Sequence, residues 1–94
     1  MSSKLGQFGA HLREIRIHLS QSSLKSKGTR DFLLRAYPGL KKQNPSLPIL
    51  IREAEDVQAK AFARFAYGVE RSISLEGLND VDVETKLAAL TANK

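Results

Sequence analysis

The chain has 94 residues, 41% hydrophobic and 27% charged, which suits one small globular domain with a single core. It contains no cysteine, and this excludes a disulfide framework, a thiolate zinc site and thiol redox chemistry. Fifteen Lys and Arg against ten Asp and Glu give a net charge of +5, which favours an acidic partner such as nucleic acid, an anionic membrane surface or an acidic protein.

The N-terminal stretch is predicted to be a flexible tail over residues 1–11, followed by a single domain over residues 12–92. The tail holds Gly6 and Gly9 and shows no hydrophobic periodicity. It is poor in acids and contains serine, as mitochondrial import signals do, but Lys4 is the one basic residue of its first ten. An import signal and a plain disordered tail both remain open.

Two apolar segments with a helical stretch between them predict a βαβ unit. In Leu12–Leu19, apolar and polar residues alternate with the two-residue period of a strand. The run 47–51 (LPILI) is apolar throughout and predicts a strand buried on both faces of a parallel sheet. A membrane span needs about 20 apolar residues, far more than this run has, so we expect that the chain does not span a membrane. Residues 29–43 have the length of the helical crossover.

The crossover helix is expected to begin at Thr29 as N-cap, with Asp31 in its first turn. Its apolar face repeats with helical spacing through Leu33 and Leu40. Pro38 predicts a kink, or a stop near Ala36 followed by one more turn.

In the second half of the chain, the sequence leaves the choice between helix and strand open for one segment. Residues 57–67 fit a helix by propensity and a strand by alternation, while 69–75 alternate as a strand does, which together favour a hairpin. Asn79 or Asp80 is predicted to be the N-cap of a last helix, which has an apolar stripe of Val83, Leu87 and Leu90. The predicted order is thus β-α-β-β-β-α, an α/β fold.

Candidate chemical sites are few. His11 and His18 lack the spacing of metal ligands, the serines of 20–23 have no predictable base, and no Gly-rich phosphate loop follows a strand. The basic residues could form a patch along one sheet edge that suits RNA phosphate. However, the sequence has no Trp, and Phe32, Tyr37, Phe62 and Phe65 are better placed in the core than for base stacking. A basic protein-docking face explains the charge equally well, and its candidate residues are Arg13, Arg16 and Arg52.

Five segments together carry a resemblance to a known family: 12–19 (LREIRIHL), 28–32 (GTRDF), 40–45 (LKKQNP), 47–53 (LPILIRE) and 63–68 (ARFAYG). The chain resembles the small, B8-type thioredoxin-like accessory subunits of mitochondrial NADH:ubiquinone oxidoreductase, respiratory complex I. A related domain occurs in certain mitochondrial ribosomal proteins. The resemblance implies a thioredoxin-like fold, with a four-stranded mixed sheet packed by helices and a hairpin over residues 62–76.

The resemblance also implies a function. It is that of a non-catalytic subunit on the matrix side of the mitochondrial inner membrane, peripheral and without cofactors of its own. Such a subunit docks on the large iron–sulfur subunit of the NADH-oxidising arm and stabilises or helps assemble that arm, with no direct nucleic-acid contact. The alternative is a mitochondrial ribosomal protein of the same domain family that binds rRNA.

The chain departs from this family pattern at three lost thiol positions. Ser20 and Ser23 stand where thioredoxins have their Cys-x-x-Cys, and some relatives have cysteines at the positions of Ser20 and Ala54, a pair that could bridge. A serine hydroxyl cannot replace a thiolate in exchange chemistry because its pKa is far too high. We therefore expect no thiol switch in this protein.

Overall fold

A computed structural model describes residues 11–92. The predicted tail therefore lies, except for His11, outside the described residues. The mixed α/β class, with a four-stranded mixed sheet and two helices, is confirmed. The elements are β1 (Leu12–Leu19), α1 (Lys27–Gln43), β2 (Ile49–Glu53), β3 (Lys60–Phe65), β4 (Glu70–Ser74) and α2 (Asp80–Leu90), with 3-10 turns at Leu24–Ser26 and Ala66–Gly68.

The strands lie side by side in the order β2-β1-β3-β4. β1 is parallel to β2, as the βαβ pattern predicts, and antiparallel to β3. β3 and β4 form an antiparallel hairpin, so the hairpin expectation is confirmed and a helix over residues 57–67 is wrong. Tyr67 and Gly68 turn the chain with φ angles of 65° and 75°, a conformation that glycine adopts without strain.

The hydrophobic core lies between one face of the sheet and the two helices. From β1 it takes Ile15, Ile17 and Leu19, each 1% exposed, which are the apolar side of the predicted alternation. The helices add Phe32, Leu40, Val83 and Leu87, and β3 adds Ala61 and Ala63. Small alanines on the sheet allow the bulkier helix residues to approach closely.

β2 departs from the sequence prediction. Ile49 is buried, but Leu50 is 49% and Ile51 38% exposed. The prediction of a strand buried on both faces is therefore wrong. β2 is an edge strand of the sheet, and only one face of this sheet carries the helix layer, so an apolar run here does not mark a two-sided core.

α1 begins two residues earlier than predicted and runs through the proline. Thr29 is not the N-cap, because it is fully buried inside the helix and its Oγ1 has no hydrogen-bond partner among the described residues. The helix continues past Pro38 to Gln43, so a stop near Ala36 is wrong. Because proline has no N–H, the carbonyl of Leu34 lacks its usual hydrogen bond within the helix. Leu34 is 82% exposed, so water can bind this carbonyl instead.

α2 has a side-chain N-cap, and two of its carboxylates bind an arginine of α1. The Asn79 side chain accepts a hydrogen bond of 2.8 Å from the N–H of Asp82, which confirms Asn79 as N-cap. Arg35 of α1 donates to Asp80 at 3.2 Å and to Glu84 at 3.0 Å. The hydrogen bond to Glu84, more than the other contacts, raises the pKa of Arg35. The two helices thus form one layer.

Candidate functional site

Within residues 11–92, one face of the sheet carries no helix. The connection between β2 and β3 spans only residues 54–59, which leaves no room for a helix over this side. Strand alternation and register place eleven side chains on this surface, called here the open face. They are Glu14, Arg16, His18, Leu50, Arg52, Lys60, Phe62, Arg64, Glu70, Ser72 and Ser74.

Phe62 lies at the centre of the open face and is surrounded by basic side chains. Its ring centroid is 4.9 Å from that of His18. The Arg16 guanidinium lies 5.8 Å and the Lys60 ammonium 5.5 Å from the same centroid. Cations at this distance are attracted by the ring face. The placement of Phe62 in the core was therefore wrong, whereas Phe32 is buried and Tyr37 and Phe65 pack against the core as predicted.

Both carboxylates of the open face lie in one half of it. Glu14 is 3.4 Å from the Nε of Arg16 and 3.4 Å from that of Arg64. Glu70 is 3.1 Å from Arg16. These exposed pairs contribute little to stability, but they neutralise the positive charge of this half.

The other half is cationic. Register aligns Arg52, His18 and Lys60 in one row across β2, β1 and β3. No carboxylate of the described residues forms an ion pair with Arg52 or Lys60. Partial burial lowers the pKa of His18, and the positive charges of Arg52, Arg16 and Lys60 lower it further. The neutral imidazole therefore lies in a positive local field.

The three candidate docking residues fall in different places. Arg16 and Arg52 lie on the open face, in the neutralised and the cationic half respectively. Arg13 is exposed and lies where the pairing of β1 with β3 shifts register between Leu12 and Glu14. The structure thus brings Arg16 and Arg52 to one surface.

The sequence reasoning missed Lys60, Phe62 and Arg64 as surface-forming residues. The signal was present, because the alternation of β3 puts them opposite Ala61 and Ala63. The apolar character of Phe62 predicts the core instead.

The serine loop after β1 is held by its own hydrogen bonds. Ser20 is buried, and its Oγ accepts from the N–H groups of Ser22 and Ser23 at 3.3 and 3.1 Å. Ser23 Oγ accepts from the N–H of Lys25 at 3.1 Å. Arg30 donates to the carbonyls of Ser20 and Ser23, both at 2.9 Å. These contacts are those of a structural turn.

Ala54, the third proposed thiol position, lies beside the end of β1. Its N–H donates to the Leu19 carbonyl at 3.2 Å, one residue beyond the Leu19–Glu53 pair of the β1–β2 ladder. Ser20 and Ala54 are therefore next to each other at the carboxyl ends of two parallel strands.

An apolar groove runs between α1 and the edge strand β2. It has a volume of about 320 Å³ and is lined by Leu19, Arg30, Leu33, Leu34, Tyr37, Ile51 and Glu53.

Within residues 11–92, no three His, Asp or Glu side chains are grouped as a metal site. Over the same range, no helix has the length and apolar character needed to cross a membrane.

These features define a small mixed α/β domain with one helix-covered and one open, partly cationic sheet face. The chain belongs to the mitochondrial ribosomal protein L51 / S25 / CI-B8 domain family, whose model matches residues 29–80.

Similarity to individual proteins covers most of the chain. The NADH-ubiquinone oxidoreductase 10.5 kDa subunit of Neurospora crassa is 46% identical over 86 residues, 92% of each chain. The mouse NADH dehydrogenase [ubiquinone] 1 alpha subcomplex subunit 2 is 45% identical over 94 residues, all of this chain and 90% of the relative. The Arabidopsis thaliana protein of the same name is 45% identical over 78 residues, 83% of this chain and 80% of the relative.

Proposed function

We propose that this chain is a non-catalytic accessory subunit of mitochondrial NADH:ubiquinone oxidoreductase, respiratory complex I. The observation that carries the proposal is the identity of about 45% to relatives from a fungus, an animal and a plant, all named as subunits of this enzyme. The chain then acts in the respiratory chain and electron transport by protein–protein interaction.

The finer part of the proposal concerns where the subunit docks. It binds the large iron–sulfur subunit in the matrix-facing, NADH-oxidising arm, on the matrix side of the inner membrane. A folded domain that binds only the assembled partner stabilises the assembly by linkage, and this requires no active site. The flavin and iron–sulfur clusters are held by other subunits.

The proposed fold class is thioredoxin-like. A parallel β1–α1–β2 unit followed by an antiparallel hairpin and a helix, with strand order β2-β1-β3-β4, supports it. Ser20, Ser23 and Ala54 are then the lost thiol positions. The adjacent ends of β1 and β2 explain how a cysteine pair could bridge there in relatives, and a chain without cysteine cannot do so.

A second candidate is a mitochondrial ribosomal protein that binds rRNA. The description of the family includes ribosomal proteins, and the cationic half of the open face suits phosphate. The names of the three relatives favour the first candidate.

Depletion of the chain tests the proposal. The amount of assembled NADH:ubiquinone oxidoreductase should fall and return when the wild-type chain is re-expressed, while mitochondrial translation is unchanged. Chemical cross-links from Lys60 should lead to the large iron–sulfur subunit. A translation defect that precedes the loss of enzyme would support the ribosomal candidate instead.

A further inference from the structure

The cationic half of the open face has the charge and shape of a binding surface. In this half, Arg52, His18 and Lys60 form one row across β2, β1 and β3, and the neighbouring row of Leu50, Arg16 and Phe62 forms its border with the neutralised half. Strands lie about 4.8 Å apart, so the backbones of Arg52 and Lys60, at the two ends of the first row, are roughly 10 Å apart. We propose that this surface binds an acidic segment of a partner protein, with two carboxylates that straddle His18.

Charge complementarity supports this occupant. Glu14 and Glu70 lie in the other half with Arg16 and Arg64, and among the described residues neither Arg52 nor Lys60 forms an ion pair, although Glu55, Asp56 and Glu76 lie in the loops beyond this end of the sheet. Both side chains lie on strands, which limits the backbone freedom that a partner must freeze on binding. Burial is the main cause that lowers the pKa of the neighbouring His18, and the positive charges of Arg52, Arg16 and Lys60 lower it further.

Leu50 adds an apolar contact to this surface. It is 49% exposed and lies next to the cation row on β2, an edge strand of the sheet that the described residues form. An exposed leucine on an edge strand is a feature that soluble proteins usually avoid. A partner segment that carries an apolar side chain between its acids would cover Leu50 while its carboxylates meet Arg52 and Lys60.

An acidic protein fits this surface better than RNA does. Single-stranded RNA binds open sheets by stacking its bases on exposed aromatic rings. The aromatic rings among the described open-face residues are Phe62 and His18, which contact each other, and Arg16 and Lys60 also lie against the Phe62 ring. A base would have to displace these contacts, whereas a carboxylate binds the cations where they are.

The inference rests on the proposed function, because it names the docking face and the chemistry of the partner. The test imports the full chain into mitochondria that lack it and measures the fraction that co-migrates with NADH dehydrogenase activity on native gels. The double variant Arg52→Glu/Lys60→Glu should incorporate roughly tenfold less, since it places like charges opposite the partner's acids.

Three further variants make the result specific. Lys42→Glu/Lys86→Glu makes the same change in net charge on the exposed side of the helix layer and should incorporate as the wild type does. Arg52→Lys/Lys60→Arg keeps the charge and should also incorporate normally. Arg52→Gln/Lys60→Gln should give an intermediate loss, and it replaces the reversal variant if circular dichroism of the purified protein shows that variant to be unfolded.

The outcomes separate the two claims. If the wild-type chain incorporates and the folded reversal variant does so equally well, the docking face is wrong and the proposed function stands. If the wild-type chain never co-migrates with the enzyme, the proposed function itself fails. If the wild-type chain migrates with ribosomal RNA and charge reversal abolishes that migration, the occupant is RNA and the acidic-protein inference is overturned.

Discussion

Gly28 lies in the first turn of α1, against the backbone that leads into α2. A β-carbon at this position would overlap the carbonyl of Leu78 and approach Asn79. Gly28→Ala must therefore push the two helices apart, and overpacking of this kind costs about 1–3 kcal/mol. Urea unfolding should show this loss in the free energy of unfolding.

Gly39 is the matched control for Gly28. It is also in α1, but nothing lies within 4 Å of its added β-carbon. Gly39→Ala should raise the free energy of unfolding by roughly 0.5–1 kcal/mol, because alanine loses less backbone entropy in a helix. Equal effects of the two substitutions would contradict the close contact at Gly28.

His18 gives the open face a pH response. Its pKa is lowered from the usual 6.5, first by partial burial and then by Arg52, Arg16 and Lys60, while Glu14 and Glu70 face the same surface. The unfolded state therefore takes up a proton first as the pH falls below about 6.5. The contribution of His18 to the free energy of unfolding is therefore fully present above that pH, and it is lost as the pH falls through the lowered pKa of the folded state.

NMR titration of His18 measures this effect directly. Its pKa in the wild-type chain should lie below 6.5, and Arg52→Gln should raise it, since Arg52 is the foremost of the three charges. The stability difference between pH 7.5 and pH 5 should shrink in His18→Gln. A wild-type pKa at or above the usual value would contradict the cationic environment described here.

At the scale of elements, β1 and β2 show how far an apolar pattern predicts burial. The alternation in β1 predicts its buried face correctly, because one sheet face meets the helix layer. The apolar run in β2 predicts a strand, but not that this strand lies at an edge, which depends on the pairing of β1 with β3. Pairing between distant segments is not encoded in the periodicity of either segment.

Two aspartate substitutions test this difference. Ile17 is 1% and Leu50 49% exposed. Ile17→Asp buries an unpaired charge in the central strand and should lower the free energy of unfolding by about 3 kcal/mol or more. Leu50→Asp should cost about 1 kcal/mol or less. Similar losses in chemical denaturation would mean that Leu50 is buried and that the open face is covered.

At the scale of the whole molecule, the sequence predicts the number and type of elements well. The site is predicted less completely, because its charge layout depends on strand register. The Arg16–Glu70 contact joins residues 54 apart, and only the pairing of β3 with both β1 and β4 brings them together. The sequence predicts a group of basic residues near the sheet. It does not predict which of them lie beside Glu14 and Glu70, so the division into a neutralised and a cationic half follows only from the structure.

The central claim is that the chain is an accessory subunit of NADH:ubiquinone oxidoreductase. Native separation of a mild-detergent mitochondrial extract, with the chain followed by antibody, tests it most directly. The account predicts that the chain co-migrates with NADH dehydrogenase activity and keeps this position after RNase treatment. Migration with ribosomal RNA that is abolished by RNase would contradict it.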